Sequence, residues 1–166
     1  MILNQIINSK ITPEMLERIC KLKAISWSYS IEEQKKWIKS NLKPNDIHFL
    51  LTQDNIDIAY FNLVEITIRI NGEDIGALGV GNLCTIERRK GYGRQIMKLA
   101  NKYIEGNNKI GLFFCRKELV KFFSSLQWSE VDKSVVRLTS TNRDVATVIF
   151  NNHADIRNLE YNSKLF

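Results

Sequence analysis

Apolar and polar residues recur along this chain with two different periods, which predict its helices and strands. A helical period predicts a helix from Gly91 to Glu105, with the core-facing residues Ile96, Leu99, Ala100 and Tyr103. Strict alternation near the end of the stretch 56–70 predicts a long strand, with apolar residues at Val64, Ile66, Ile68 and Ile70. Asn71-Gly72 follows this stretch and predicts a tight hairpin turn.

Capping residues predict where the first two helices begin. Thr12 before Pro13 predicts a helix that runs to about residue 24, and Ser30 with Glu33 forms a capping box that opens a helix to about residue 40. The remaining pattern predicts strands at 47–52, 74–84 and 109–115, a helical stripe at 119–126, and a hairpin of strands 134–140 and 145–150 across residues 141–144. The tail after Asn151 is too polar to assign.

The predicted order is α-α-β-β-β-α-β-α-β-β. Antiparallel strands with one central strand–helix–strand crossover indicate an α/β (α+β) fold, with a mixed, mostly antiparallel central sheet flanked by helices. A length of 166 residues fits one domain, and we expect 1–166 to form it.

Several classes of protein do not fit the composition. No apolar run approaches the roughly 18 residues of a membrane span, and the first residues lack the features of a secretory signal, so we expect a cytoplasmic protein without membrane partners. Cys20, Cys84 and Cys115 are widely spaced and the chain has only two histidines, so no metal site is expected.

Charge is unevenly distributed along the chain. The net charge of +6 arises because residues 1–87 carry −2 and residues 88–166 carry +8. A basic half could bind either nucleic acid or the phosphates of a nucleotide cofactor. A nucleic-acid interface would need one basic stripe with interleaved aromatic residues. The basic residues instead lie around one loop and on alternating faces of the 91–105 helix, so we expect no nucleic-acid partner.

A basic, glycine-containing segment lies between the strand ending near Cys84 and the following helix. Its residues are Arg88, Arg89, Lys90, Gly91, Tyr92, Gly93 and Arg94. A helix N-terminus offers unpaired N–H groups and a partial positive charge. Glycines at 91 and 93 would let a phosphate approach these donors, so the segment predicts a phosphate-bearing ligand. The alternative is an ordinary tight turn with solvated basic residues.

The segment from Gly79 to Ala100 resembles the signature of the GNAT acetyltransferase superfamily, in which an [Arg/Gln]-x-x-Gly-x-[Gly/Ala] loop holds the cofactor pyrophosphate. The stretch from Gly111 to Trp128 resembles the later strand and helix of that superfamily. Among subfamilies the chain looks closest to the aminoglycoside 2′-N-acetyltransferase-like branch. The resemblance implies an acetyl-CoA-dependent N-acetyltransferase, in which an amine attacks the thioester directly.

The resemblance also implies roles for particular residues. Leu83, Cys84 and Thr85 would pair with the pantetheine arm of acetyl-CoA, residues 88–94 would wrap its pyrophosphate, and Phe123 would line the thiol end. Three positions depart from the family pattern. Phe123 replaces a tyrosine that protonates the leaving thiolate, Gly79 replaces a glutamate proposed as base, and Gln127 replaces a glycine. An acyl-CoA-binding domain with little or no transferase activity is therefore the alternative.

Side chains that could move protons are few. Glu65 and Asp74 are candidate bases, although each could be a solvated strand or turn carboxylate, and Tyr92 is a candidate proton donor or a packing residue. Cys84 could carry an acyl group, but a packed cysteine is favoured because no histidine is placed to activate it.

The sequence does not identify the molecule that accepts the acetyl group. The resemblance implies that it is an amine of a small molecule, a peptide or a protein. Aromatic residues around the first two helices could shape its pocket or belong to the core: Trp27, Tyr29 and Trp37. The chain is expected to be a monomer or homodimer.

Overall fold

The computed structural model describes residues 1–139, 145–163 and 166. Within them the helices are α1 (Pro13–Ser26), α2 (Ile31–Asn41), α3 (Tyr92–Gly106) and α4 (Val120–Ser124). The strands are β1 (Ile2–Ile7), β2 (Ile47–Gln53), β3 (Ile56–Ile70), β4 (Glu73–Thr85), β5 (Ile110–Cys115), β6 (Ser129–Glu130), β7 (Val136–Leu138), β8 (Ala146–Phe150) and β9 (Leu159–Tyr161). The fold class is as predicted: a mixed, mostly antiparallel sheet flanked by helices.

Both predicted helix starts are confirmed at the level of hydrogen bonds. The Thr12 hydroxyl accepts from the Met15 N–H at 3.2 Å, with Pro13 as the first residue of α1. At the start of α2, Ser30 Oγ accepts from the Glu33 N–H, and the Glu33 carboxylate accepts from the Ser30 N–H at 2.8 Å. These side chains satisfy backbone donors that a helix leaves unpaired at its first turn.

The chain divides into two compact units. The first unit contains residues 1–64 and 81–97. Its strands β1, β2 and the first part of β3 pair antiparallel, with Ile7 opposite Ile47 and His48 opposite Asn62. Helix α1 is tied to β3 by Arg18, which forms two hydrogen bonds at 2.9 and 2.6 Å to the Asp57 carboxylate. Burial and this paired geometry make the contact stronger than an exposed ion pair.

The second unit contains residues 65–80 and 98–166. Here β4 and β5 pair in parallel, with Ala77 opposite Ile110 and Gly79 opposite Leu112, as the strand–helix–strand pattern predicts. Strand β5 also pairs antiparallel with β8, and β8 with β6. The hairpin turn between β3 and β4 has left-handed φ angles of 53° at Asn71 and 92° at Gly72, which confirms the Asn-Gly prediction.

Strand pairing near the end of the chain differs from the sequence prediction. The predicted hairpin of strands 134–140 and 145–150 is wrong, because β7 pairs in parallel with β9 while β8 pairs with β5 and β6. Residues 141–144, the predicted turn, lie outside the described residues. Strand β9 falls in the tail that the sequence left unassigned, where Leu159 and Tyr161 are its buried residues.

Candidate cofactor and acceptor sites

The loop between β4 and α3 lies at the start of a helix, as the sequence predicts, and two of its residues have left-handed backbone conformations. Arg89 and Gly91 adopt left-handed φ angles of 64° and 81°. The Gly91 carbonyl accepts from the Gln95 N–H at 3.0 Å, so Gly91 caps α3 and the N–H groups of the first turn lie beyond the helical ladder. A Cβ at Gly91 would meet no atom within 4 Å, so open space lies beside the helix start.

Basic side chains surround this loop. Arg88, Arg89, Lys90 and Arg94 are all exposed. Lys90 lies 3.8 Å from Glu87, both largely exposed, and such a pair contributes little stability. Arginine and lysine side chains together with helix N–H groups make a surface suited to a diphosphate. The residues present therefore fit the pyrophosphate of a CoA thioester.

The end of β4 has an irregular backbone next to this loop. Asn82 has a left-handed φ of 53°, and its Nδ2 donates to Asn62 Oδ1 at 2.7 Å. Beyond Asn82, Leu83 and Thr85 are half-buried while Cys84 is buried. A left-handed residue within a strand redirects the backbone that follows, as in a bulge. The Ile86 N–H then donates to the Ile58 carbonyl at 2.9 Å and holds the strand end in place.

The Cys84 thiol is not a nucleophile in this setting. Burial raises its pKa to about 12, and the Lys23 ammonium only partly opposes this effect. The thiolate is the reactive form of cysteine, so a pKa this high keeps the group inert at neutral pH. The geometry therefore favours a packed Cys84 over an acyl carrier.

Glu65 and Asp74 both lie in the second unit, but their surroundings differ. Asp74 accepts from Arg69 Nε at 2.7 Å and from the second guanidinium nitrogen at 3.3 Å, and this pairing lowers its pKa and weakens it as a base. Glu65 is exposed on β3. Burial raises the pKa of Tyr103, and the negative charge of Glu65 raises it further. The sequence assigned Tyr103 only to the core stripe.

Tyr92 and Phe123 occupy contrasting environments. Tyr92 is the first residue of α3 and is half-buried beside the loop. Phe123 is 1% exposed in the second unit, where its ring makes edge contacts with Phe113 at 4.8 Å and Phe122 at 5.1 Å. Its proposed contact with the thiol end of the cofactor stays a prediction.

Gly79 leaves a slot on β4 that an aromatic ring fills. Three ring atoms of Phe166 lie within 3.0 Å of the position that a Cβ at Gly79 would take. The ring also contacts Phe114 and Tyr161, with centroid distances of 5.4 and 5.8 Å. Any side chain at 79 would have to displace Phe166 or shift the strand. No local pattern predicts this contact, because 86 residues lie between the two positions.

A buried lysine lies under the aromatic residues of the first unit. Lys23 is 2% exposed, and its Nζ lies 4.4 Å from the ring centre of Trp37 and 5.9 Å from that of Trp27. Burial lowers its pKa to about 8. Both indoles are half-buried, whereas Tyr29 is 61% exposed. Lys23 lies seven positions after Leu16 on the buried stripe of α1, so helical spacing alone indicates that it is buried.

His48 joins a buried hydrogen-bonded column in the same unit. Asn8 Nδ2 donates to the carbonyls of Leu42 and Lys43, which leaves Asn8 Oδ1 to accept from His48 Nε2 at 3.0 Å. His48 Nδ1 is then unprotonated and accepts from the Tyr60 hydroxyl at 2.8 Å. Burial, with a smaller contribution from Lys23, lowers the pKa of His48 to about 4. The imidazole is therefore neutral at pH 7.

Two other kinds of site are absent from the described residues. Throughout 1–139, 145–163 and 166, no group of three or more His, Cys, Asp or Glu side chains is arranged to hold a metal ion. In the same part of the chain, the helices are too short or too polar to cross a bilayer.

Solved structures share this architecture, although sequence comparison alone finds no relative: no family model matches, and neither does a curated protein. A GNAT family N-acetyltransferase from Escherichia coli in complex with CoA is 15% identical and has a TM-score of 0.67, covering 97% of this chain and 89% of its own. An acyl-CoA N-acyltransferase from Pseudomonas aeruginosa is 12% identical and has a TM-score of 0.64; the match covers 90% of this chain and 97% of that protein. An aminoglycoside 6′-N-acetyltransferase complexed with coenzyme A is 10% identical and has a TM-score of 0.62; the match covers 90% of this chain and 94% of that protein. The chain therefore has the fold of the GNAT acyl-CoA N-acyltransferases.

Proposed function

We propose that this chain binds acetyl-CoA and transfers the acetyl group to a primary amine by direct attack of the amine on the thioester. The observation that carries the proposal is the loop before α3, where left-handed Gly91 opens the helix start and basic side chains surround it. Two solved structures with this fold hold CoA, and the loop has the [Arg/Gln]-x-x-Gly-x-[Gly/Ala] pattern that the family resemblance assigns to a pyrophosphate site.

Different residues of the chain would bind the diphosphate, align the pantetheine arm and stabilise the oxyanion. Arg88, Arg89, Lys90 and Arg94, with the backbone of 91–93, would neutralise and orient the diphosphate. The backbone of Leu83, Cys84 and Thr85 would align the pantetheine arm. A backbone N–H at this strand end would stabilise the oxyanion, which requires no particular side chain. CoA supplies the thioester as an activated acyl donor.

Proton transfer has fewer candidates than the sequence suggested. His48 has both ring nitrogens engaged, Cys84 stays protonated, and Asp74 is held by Arg69. We propose Glu65, directly or through water, as the base that prepares the amine, and Tyr92 as a candidate donor to the leaving thiolate. Phe123 carries no proton, so it could only pack against the cofactor.

The test is calorimetric binding of acetyl-CoA to matched glycine variants. Gly91 and Gly72 both have left-handed φ angles and open space at the Cβ position, so Gly91→Asp and Gly72→Asp impose similar backbone strain. Gly91→Asp should weaken acetyl-CoA binding at least about tenfold, which corresponds to about 1.4 kcal/mol, while Gly72→Asp should leave it unchanged. Equal effects, or no binding to the unmodified protein, would overturn the proposal.

An acyl-CoA-binding domain without transferase activity is the second candidate. The buried Phe123 and the paired Asp74 favour it, since neither can donate or accept a proton efficiently. Free CoA thiol measured after incubation with acetyl-CoA and a broad amine panel separates the two. Binding without amine-dependent thiol release would favour the second candidate.

A further inference from the structure

Lys23 is a buried cation without an anion. Across the described residues, its Nζ forms no ion pair or hydrogen bond, and its contacts are with the faces of Trp37 and Trp27. Lysines are almost never this buried unless they are paired, because an ammonium ion loses its hydration there. Cation–π contacts offset only part of that cost. The position therefore calls for an anion.

A second unpaired donor lies in the same unit. Asn62 is 0% exposed, its Oδ1 accepts from Asn82, and its Nδ2 has no hydrogen-bond partner in the part of the chain that is described. Asn62 is opposite His48 in the β2–β3 register, so both side chains lie on one face of the sheet. Lys23 belongs to the same unit, and its charge contributes to the lowered pKa of His48.

The other polar groups on this face cannot supply the missing anion. The Tyr60 hydroxyl and the His48 imidazole are neutral and hydrogen-bonded to each other. Burial raises the pKa of both the Cys20 and the Cys84 thiols, which keeps them neutral as well. The Asp46 carboxylate is buried in the same unit and its charge contributes to the raised pKa of Tyr60, but it is held by the Lys43 N–H at 2.7 Å. The Lys23 ammonium and the Asn62 amide are both donors, so a ligand with anionic oxygens complements them.

We propose that Lys23 and Asn62 bind the carboxylate of the acceptor, so that the acceptor is a small amino acid-like molecule with an amine near a carboxylate. This rests on the proposed function, because Asn82 and Cys84 flank Leu83 on the strand end assigned to the thioester. Trp27 and Trp37 cover Lys23 and are themselves partly exposed, so an acceptor would reach the lysine by moving these indoles.

The reaction of such an acceptor balances without a further reagent. The neutral amine nitrogen forms a bond to the acyl carbon, the carbon–sulfur bond breaks, and the departing thiolate takes up a proton. The surplus proton on nitrogen passes to a base or to water. A lysine charge near the acceptor would also lower the pKa of the acceptor amine and increase its neutral fraction. A polycationic acceptor would instead be repelled.

The test compares acceptors that differ only in charge. Acetyl transfer is measured for a series of amino acids, the matching amino acid amides, and diamines of similar length. The unmodified protein should prefer an acid over its amide at least tenfold in kcat/KM. Lys23→Met, which keeps the side-chain length, should abolish that preference, whereas Lys21→Met, exposed on the same helix, should retain it. Equal use of acids and amides, or a preference that survives Lys23→Met, overturns the proposal.

A binding measurement separates this proposal from the proposed function. Tryptophan fluorescence is titrated with each amino acid and its amide, without CoA, because Trp27 and Trp37 cover Lys23. A saturable change with the acids only, lost in Lys23→Met, supports the carboxylate site even where calorimetry detects no acetyl-CoA. Acetyl-CoA binding and amine transfer without any preference for acids would refute the carboxylate site alone. Thermal melting of each variant identifies one that fails to fold, and the acid-to-amide ratio of the unmodified protein then decides.

Discussion

Phe166 lies against Gly79 so closely that the strand residue cannot carry a side chain without moving the ring. The resemblance places a glutamate at this position in aminoglycoside-acetylating relatives. The glycine is therefore a steric requirement of this chain's own packing. The space at Gly79 lets Phe166 form one aromatic cluster with Phe114 of β5 and Tyr161 of β9 in the second unit.

Gly79→Ala should destabilise the protein by about 1–3 kcal/mol, because overpacking forces the Phe166 ring away. Chemical denaturation measures the change. Combining Gly79→Ala with Phe166→Ala should make the alanine at 79 nearly neutral, since the obstructing ring is gone. Gly76→Ala is the control, because a Cβ there meets only the mobile Lys109 Nζ at 3.3 Å. Equal losses at 76 and 79 would contradict the steric explanation.

Gln127→Gly should stabilise the protein by about 0.5–1 kcal/mol. Gln127 has a left-handed φ of 68° and is exposed, so its side chain strains the backbone and contributes little packing. The family pattern has glycine here, which fits this geometry. The change is measured as the shift in denaturation midpoint. Gln53→Gly, at the end of β2 and outside the left-handed region, should be destabilising instead.

Lys23→Met should stabilise the fold at pH 7 by about 1–3 kcal/mol, because it removes a buried charge. The pKa of Lys23 falls from 10.5 to about 8 on burial, so between these values the unfolded chain binds more protons than the folded one. The folded state therefore gains stability from this group as the pH rises from 8 to 10.5. The advantage of Lys23→Met over the unmodified protein should shrink across that window, as followed by denaturation at each pH.

His48→Gln should flatten the acid side of the stability profile. The pKa of His48 falls from 6.5 to about 4 on folding, so the unfolded chain binds more protons between these values and stability is lost as the pH falls through them. Denaturation midpoints from pH 4 to 7 measure the slope. His153→Gln, which changes an exposed histidine, should keep the slope of the unmodified protein.

The local rules of helix and turn formation predicted much of this fold. The helix caps and the hairpin turn depend on residues that are close in sequence, so the sequence alone predicts them; they are Thr12, Ser30 with Glu33, and Asn71-Gly72. Strand partners were harder to predict. Strand β1 has no regular alternation, and β7 pairs with a strand more than twenty residues later, which no local pattern encodes.

The candidate sites divide in the same way. The loop at Gly91 depends on glycine, charge and helix start, all visible in sequence. Lys23 and Asn62 are candidate site residues because they are buried and lack partners in the described residues, and only the three-dimensional structure shows this. The contact between Phe166 and Gly79 could not be predicted, because no sequence pattern indicates which side chain packs against a glycine.

The Asn71 side chain attaches residues 155–158 to the β3–β4 turn. Asn71 Oδ1 accepts from the N–H groups of Arg157 and Asn158, and its Nδ2 donates to the Asp155 carbonyl at 2.7 Å. Asparagine followed by glycine is the dipeptide most prone to deamidation. Conversion of Asn71 to aspartate would replace that donor with a carboxylate oxygen facing a carbonyl, so residues 155–158 would lose one of their attachments to the β3–β4 turn.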